Sequence, residues 1–229
     1  DRRINRGYGF TLKEGIANSK FSHCAIIDAD GTYSPTDISH LFEYAKIGFP
    51  MVVGARDTKK QDSWIKLFFR GVLRRICGFF SGVDIIDPNS GLRIFAKEHY
   101  EEVKGLLCNR FSFTTSISIA FALKELPIHY VPIAYDIRSG GISKVSHVRD
   151  SFVTFKYIVH VTLLLSPLRI FYSLFFLGIL LSITLIGSGI YWQIETFVQL
   201  GVLGIIASGI VLSLGFCLAF LNSVLYGRH

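Results

Sequence analysis

The chain has 229 residues, half of them hydrophobic, and a formal net charge of +7. The charge is segregated: Glu195 is the only charged residue between Ile170 and Gly227, and every Lys and Arg except Arg228 lies at or before Arg169. This excludes an evenly polar single domain and points to a polar globular part followed by a membrane part. The cysteines Cys24, Cys77, Cys108 and Cys217 show no paired spacing, which argues against a zinc site or a disulfide framework and fits a reducing compartment. Asp1 opens without an initiator Met or a targeting segment, so a further upstream segment is expected.

In chain order, the glycine pair Gly7 and Gly9 leads into a short predicted helix over Thr11 to Ala17. His23 to Ile27 then reads as a buried strand ending in Asp28-Ala29-Asp30. Ser34 and Pro35 form an N-cap and first-turn pair for a helix running to about Lys46, with Asp37 favouring the helix dipole. Met51 to Ala55 is a second apolar strand, ending at Arg56. Strand, helix and strand in succession predict an α/β sheet that binds ligands at the carboxyl ends of its strands.

Trp64 to Phe80 is a predicted helix with Ile65, Phe68, Phe69, Val72, Ile76 and Phe79 on one side and Lys66, Arg70 and Arg74 on another. Two readings of it stay open: a helix in the lipid headgroup plane, or a surface helix with a solvated basic stripe. Lys97 to Gly105 and Thr115 to Lys124 read as helices, followed by a strand over His129 to Tyr135. Ser146 to Leu165 is a second basic, aromatic-rich helix. None of the seven histidines has ligand spacing, and none is assigned to chemistry.

Leu168 to Trp192 and Phe197 to Tyr226 are each long enough, at about 1.5 Å per residue, to cross a hydrocarbon core of roughly 30 Å. Arg138, Lys144, Arg149, Lys156 and Arg169 precede the first span and Arg228 follows the second. The positive-inside bias therefore places both ends, and the polar part with them, on the cytoplasmic side of an integral membrane protein. Gly178 with Ser182 and Gly204 with Ser208 are small-residue pairs that could pack the hairpin or mate it to other subunits, so a homo-oligomer is one expectation. No nucleic-acid partner is expected.

Two aspartates flanking one residue after a buried strand offer the hard oxygen ligands that a divalent cation bridging a diphosphate requires. Other short segments accompany them in order: Asn5-Arg6-Gly7-Tyr8-Gly9, Ile27 to Pro35, Val52-Val53-Gly54-Ala55-Arg56, Asp87-Pro88-Asn89-Ser90-Gly91-Leu92-Arg93, Val131-Pro132-Ile133, and Arg138-Ser139-Gly140-Gly141-Ile142-Ser143-Lys144. This ordered set, with the two-span tail, resembles the dolichol-phosphate-mannose-synthase and bactoprenol-glucosyltransferase branch of the family-two glycosyltransferases.

The resemblance implies a Rossmann-like GT-A domain, incomplete at its N-terminus, over 1–145. A juxtamembrane amphipathic helix would follow over 146–166 and a two-helix hairpin over 167–229. It implies inverting transfer of a hexose from a GDP- or UDP-linked donor to a polyprenyl phosphate. Asp28 and Asp30 would hold Mg²⁺ or Mn²⁺ against the donor diphosphate. Arg56, Ser90, Arg93, Arg138, Ser143 and Lys144 would serve the acceptor phosphate, where cations offset the repulsion between two anionic substrates. Ser90-Gly91 would bring Arg93 inward, and Asp87 would orient an arginine or the acceptor. For Arg138 to Lys144 a basic patch that attracts anionic lipid is the competing reading; for Asp87 it is a solvated turn before Pro88.

Three departures qualify the match. Phe111 to Ser116 carries only hydroxyls where relatives often have an acidic residue, Tyr8 stands where lysine is common, and the nucleoside-gripping segments have no counterpart in this sequence. A phosphate nucleophile tolerates the first, because its second pKa is near 6 and it needs orientation more than a base. A non-catalytic membrane scaffold and a processive polysaccharide synthase are the alternatives. The latter is disfavoured because neither Trp64 nor Trp192 follows an arginine. Residues 1–229 expressed alone are expected not to bind nucleotide-sugar tightly; calorimetry showing low-micromolar affinity would contradict this.

Overall fold

The computed structural model describes residues 6–57, 64–135 and 147–226. These form two compact units that divide near Val161. In the first, α1 (Tyr8–Ala17) leads to β1 (His23–Ile26), α2 (Thr36–Lys46), β2 (Met51–Arg56), α3 (Trp64–Ser81) and β3 (Arg93–Ala96). Then come α4 (Lys97–Val103) with a 3-10 turn over Lys104–Leu106, α5 (Phe113–Leu123), β4 (Ile128–Ile133) and α6 (His147–Leu165).

The four strands make one mixed sheet in the order β1-β3-β2-β4. β3 runs antiparallel to both neighbours, Ile26 and Val53 each pairing with Arg93, whereas β2 and β4 are parallel and Arg56 pairs with Ile133. The reversal of β3 has a direct consequence for the site. The start of β3 lies at the same end of the sheet as the carboxyl ends of β1, β2 and β4, so the residues before Arg93 meet those after Ile26 and at Arg56.

β3 is absent from the predicted elements. All four of its residues are buried, so it lacks the polar alternation that marks a half-exposed strand, and four residues are too few to set a period. Helix α2 covers one face, where Leu41 and Ala45 pack with Val52, Leu92, Ile94, Val131 and Ile133. Ser34 opens that helix: its Oγ accepts the Thr36 amide at 3.4 Å, satisfying one of the donors a helix start leaves over. Helix α5 is buried at every residue from Phe113 to Ala122. It begins two residues before the predicted Thr115, its hydroxyls included in the core.

Helix α3 presents its aromatic side outward. Trp64 is 77% exposed, and Ile65, Phe68, Phe69 and Phe79 are exposed as well, while Cys77 and Ser81 face inward. Arg74 pairs with Asp84 just beyond the helix end. The first half of α6 packs on this unit through the Ser112–Thr154 hydroxyl pair (2.8 Å) and the edge-on rings of Phe80 and Phe155.

In the second unit, α7 (Pro167–Tyr191) and α8 (Glu195–Tyr226) are both long and apolar enough to cross a membrane. Their outer faces carry exposed Phe176, Leu180, Leu203 and Phe220. Gln193 takes a left-handed conformation (φ 53°), and the Ile194 amide returns to the Gly189 carbonyl at 2.8 Å. This is the 6→1 bond of a Schellman helix end, and it fixes the hairpin turn. The small-residue pairs meet inside the hairpin: Gly178 lies against Ser208, and Gly204 against Ser182. Each serine also donates to a carbonyl of its own helix, Gly178 for Ser182 and Gly204 for Ser208, at 2.7 Å.

A β-carbon at Gly204 would overlap Ser182, whereas one at Gly209 meets nothing within 4 Å. Gly204→Val is therefore expected to weaken the hairpin by about 1–3 kcal/mol and Gly209→Val to leave it unchanged, as read by thermal unfolding in detergent micelles.

Candidate active site

Asp28 and Asp30 follow β1 and are both half-buried, within reach of a ligand. Asp28 is held from two directions. The Tyr8 hydroxyl donates to its Oδ1 at 3.0 Å, and its Oδ2 lies so close to Gly91 that a β-carbon there would overlap the carboxylate. Asp30 closes a local turn, its Oδ1 accepting from the Thr32 amide (3.3 Å) and hydroxyl (2.6 Å). Gly31 supplies the left-handed backbone (φ 77°) that this reversal requires.

The turn before β3 is tied to both neighbouring segments. The Gly91 amide donates to the Tyr33 hydroxyl at 2.8 Å. Tyr33 meets Tyr135 edge-on at 5.2 Å, and the Arg56 guanidinium lies over the Tyr135 ring at 5.2 Å. Arg56 in turn forms a two-pronged pair with Asp87, Nε to Oδ2 and Nη2 to Oδ1, each 2.7 Å. Its main-chain amide adds a third bond to Oδ2 at 3.2 Å. The two side chains are only 9% and 13% exposed. Burial would push the Asp87 carboxyl up, but the hydrogen bonds and charge of Arg56 outweigh it and hold it below the usual carboxylate range. Asp87 is thus no solvated turn residue; it fixes an arginine.

Two residues expected on the acceptor side, Arg93 and Ser90, are buried and bonded within the protein. Arg93 is 0% exposed. Its Nη1 donates to the Thr114 carbonyl (2.9 Å) and Ser118 Oγ (3.2 Å), and its Nη2 to the carbonyls of Ser90 (2.6 Å) and Pro88 (3.4 Å). Desolvation lowers its pKa. Its strand position turns it toward α5, so it ties the 88–90 turn to that helix instead of lining a surface. Ser90 is also fully buried, its hydroxyl donating to the Gly54 carbonyl at 2.6 Å and so joining the turn to β2.

Two further α5 hydroxyls are similarly committed. Thr115 donates to Asn89 Oδ1 at 2.6 Å, and Ser116 donates to the Phe113 carbonyl while accepting the Cys108 amide. Arg138, Ser143 and Lys144 lie outside the described residues.

The donor chemistry fits a divalent cation. Two carboxylates on adjacent turns are the protein share of an oxygen set that substrate phosphates complete. Among the described residues no cluster of three or more His, Cys, Asp or Glu offers a closed protein cage. Asp28 and Asp30 are the residues that could hold Mg²⁺ or Mn²⁺, with ligand oxygens completing the set.

No family model matches the sequence. Curated relatives do. The chain is 27% identical over 152 residues to a polyprenol monophosphomannose synthase of Mycolicibacterium smegmatis, covering 61% of this chain and 53% of the relative. It is 26% identical over 168 residues to a dolichol-phosphate mannosyltransferase of Pyrococcus furiosus, covering 70% and 45%. It is 24% identical over 154 residues to glycosyltransferase AglJ of Haloferax volcanii, covering 65% and 50%. The chain is thus similar to glycosyltransferases of the dolichol-phosphate mannose synthase type. It spans about half the length of the curated relatives it matches.

The aromatic residues that join the charged ones are not marked out by the sequence alone. Tyr33 lies inside the Ile27 to Pro35 segment, Tyr135 ends a predicted strand, and Tyr8 stands where lysine is common. The available signal was three tyrosines next to glycine or charged segments at three separate chain positions; their convergence depends on the reversed β3.

Removing the Asp87 charge strands Arg56 in a buried place. Asp87→Asn is expected to destabilise the fold by about 3–5 kcal/mol. Because the Asp87 pKa is depressed on folding, its contribution is present above the unfolded carboxyl value, near about 3.9, and is lost as pH falls through the folded value. Acid titrations followed by circular dichroism should show less loss of stability below about pH 4 in Asp87→Asn than in the wild type.

Proposed function

We propose that this chain carries the cation-binding and acceptor-phosphate parts of an enzyme that transfers a hexose from a GDP- or UDP-linked donor to a polyprenyl phosphate, with inversion at the anomeric carbon. The observation that carries the reading is the gathering of Asp28, Asp30 and the Asp87-locked Arg56 at one end of the sheet. The names of the matched relatives, a polyprenol monophosphomannose synthase and a dolichol-phosphate mannosyltransferase, support it.

A divalent cation bound there would offset the charge that develops on the departing nucleoside diphosphate. Asp28 and Asp30 would hold that cation against the donor diphosphate. Arg56, with the segment containing Arg138, Ser143 and Lys144, draws in the acceptor phosphate and holds it in line. Asp87 acts through Arg56: kept ionised by its partner, it positions the guanidinium and moves no proton. The buried, committed hydroxyls of α5 leave that segment without a base, which suits an acceptor whose phosphate is already mostly ionised at neutral pH.

The lipid acceptor calls for a membrane location. The apolar exposed faces of α7 and α8 support it, as does the outward aromatic side of α3 beside Lys66, Arg70 and Arg74, a composition suited to anionic headgroups. The lysines and arginines flanking the spans favour a cytoplasmic site.

Membranes carrying this sequence in its native gene context are expected to convert radiolabelled nucleotide-sugar and polyprenyl phosphate into a mild-acid-labile labelled lipid. Labelled polymer would indicate a processive synthase, and no transfer a scaffold. Asp30→Asn should abolish metal-dependent turnover, and Lys144→Ala should mainly raise the apparent KM for the lipid. Unchanged kinetics in both variants would place the site elsewhere.

A further inference from the structure

Tyr8 is the first residue of α1, and its place is set independently of Asp28. Gly7 has a left-handed φ of 103°, and a β-carbon on it would lie 2.7 Å from the Asn109 carbonyl oxygen. One on Gly9 would overlap the Cys108 carbonyl. The Phe10 amide donates to the Asn109 carbonyl at 3.0 Å, and Lys13 Nζ donates to the Leu107 carbonyl at 2.5 Å. The helix start is thereby pressed onto the 107–110 backbone. The Tyr8 ring lies nearly parallel to Phe111, 14° between planes and 6.0 Å between centroids. From this mounting the phenol reaches Asp28 Oδ1 across 20 residues of sequence.

A phenol at this place differs in kind from a lysine. It donates one directed hydrogen bond and fixes the carboxylate plane, but it brings no positive charge. An ammonium in the same place would cancel much of the charge that a cation is drawn to. On the other side, Gly91 leaves room for the carboxylate and for nothing larger.

We propose that Tyr8 is a positioning residue of the cation site. Its neutral hydroxyl and the bare α-carbon of Gly91 clamp the Asp28 carboxylate in one orientation while leaving its full negative charge for a divalent cation shared with Asp30. This inference rests on the assignment of Asp28 and Asp30 as the cation ligands.

The test is Mn²⁺ binding to the purified chain in detergent, with and without millimolar GDP or UDP, followed by the paramagnetic signal of free Mn²⁺. Tyr8→Phe keeps the ring and its stacking on Phe111, so its thermal midpoint should match the wild type while its Mn²⁺ dissociation constant rises roughly tenfold. Adding Tyr8→Phe to Asp28→Asn should cause no loss beyond Asp28→Asn alone.

Wild-type Mn²⁺ affinity in Tyr8→Phe, with binding abolished in Asp30→Asn, would overturn the role of Tyr8 and leave the cation site standing. A fall in thermal midpoint that accounts for the weaker binding would likewise overturn it, by making Tyr8 a purely structural residue. Mn²⁺ binding that is absent in the wild type, or unaffected by both Asp28→Asn and Asp30→Asn, would remove the cation site and this inference together.

Discussion

The contact on which the site depends is the approach of the Asp28 carboxylate to the α-carbon of Gly91. It joins the segment leaving β1 to the segment entering β3, two stretches far apart in the chain. β3 must run against its neighbours for the two to meet at all. Any side chain at position 91 would push the carboxylate away, and the Gly91 amide would lose its partner on Tyr33. The missing side chain at one glycine therefore decides whether the segments carrying Asp28 and Asp87 can meet.

The buried polar groups form two systems that differ in charge balance. Arg56 has a carboxylate matched to both prongs of its guanidinium, the geometry in which an arginine tolerates burial best. Arg93 is more deeply buried and makes no bond to a carboxylate among its described contacts; carbonyls at the 88–90 turn and at α5 solvate it instead. Its Nε has no hydrogen-bond partner among the described residues. The first system lies at the partly open end of the sheet. The second is a rivet beneath it, and the two meet in the turn that begins at Asp87.

Much of this was legible in the sequence because it is local. The apolar runs that became β1, β2 and β4, the aspartate pair on the turn after β1, and the two long apolar helices are all written in consecutive residues. What was illegible involves the direction a side chain takes. Arg93 sits in a segment rich in turn residues, and nothing in its neighbours says that it faces α5 and not the surface. Asp87 and Arg56 have opposite charge, but they are 31 residues apart and pair only through the register of a strand that is too short and too apolar to announce itself. Tyr8 looked like a departure from its relatives because the partner that gives it meaning stands 20 positions later.

The Asp87 clamp on Arg56 has one more effect, on the thermodynamics of anything that docks there. A free arginine has roughly 2 kcal/mol of rotamer entropy to lose when it grips an anion. In this chain the torsions of Arg56 are already frozen in the folded state, by two side-chain bonds and the ring of Tyr135 beneath. Any group that docked there would meet a guanidinium already fixed in place, with less side-chain entropy left to lose.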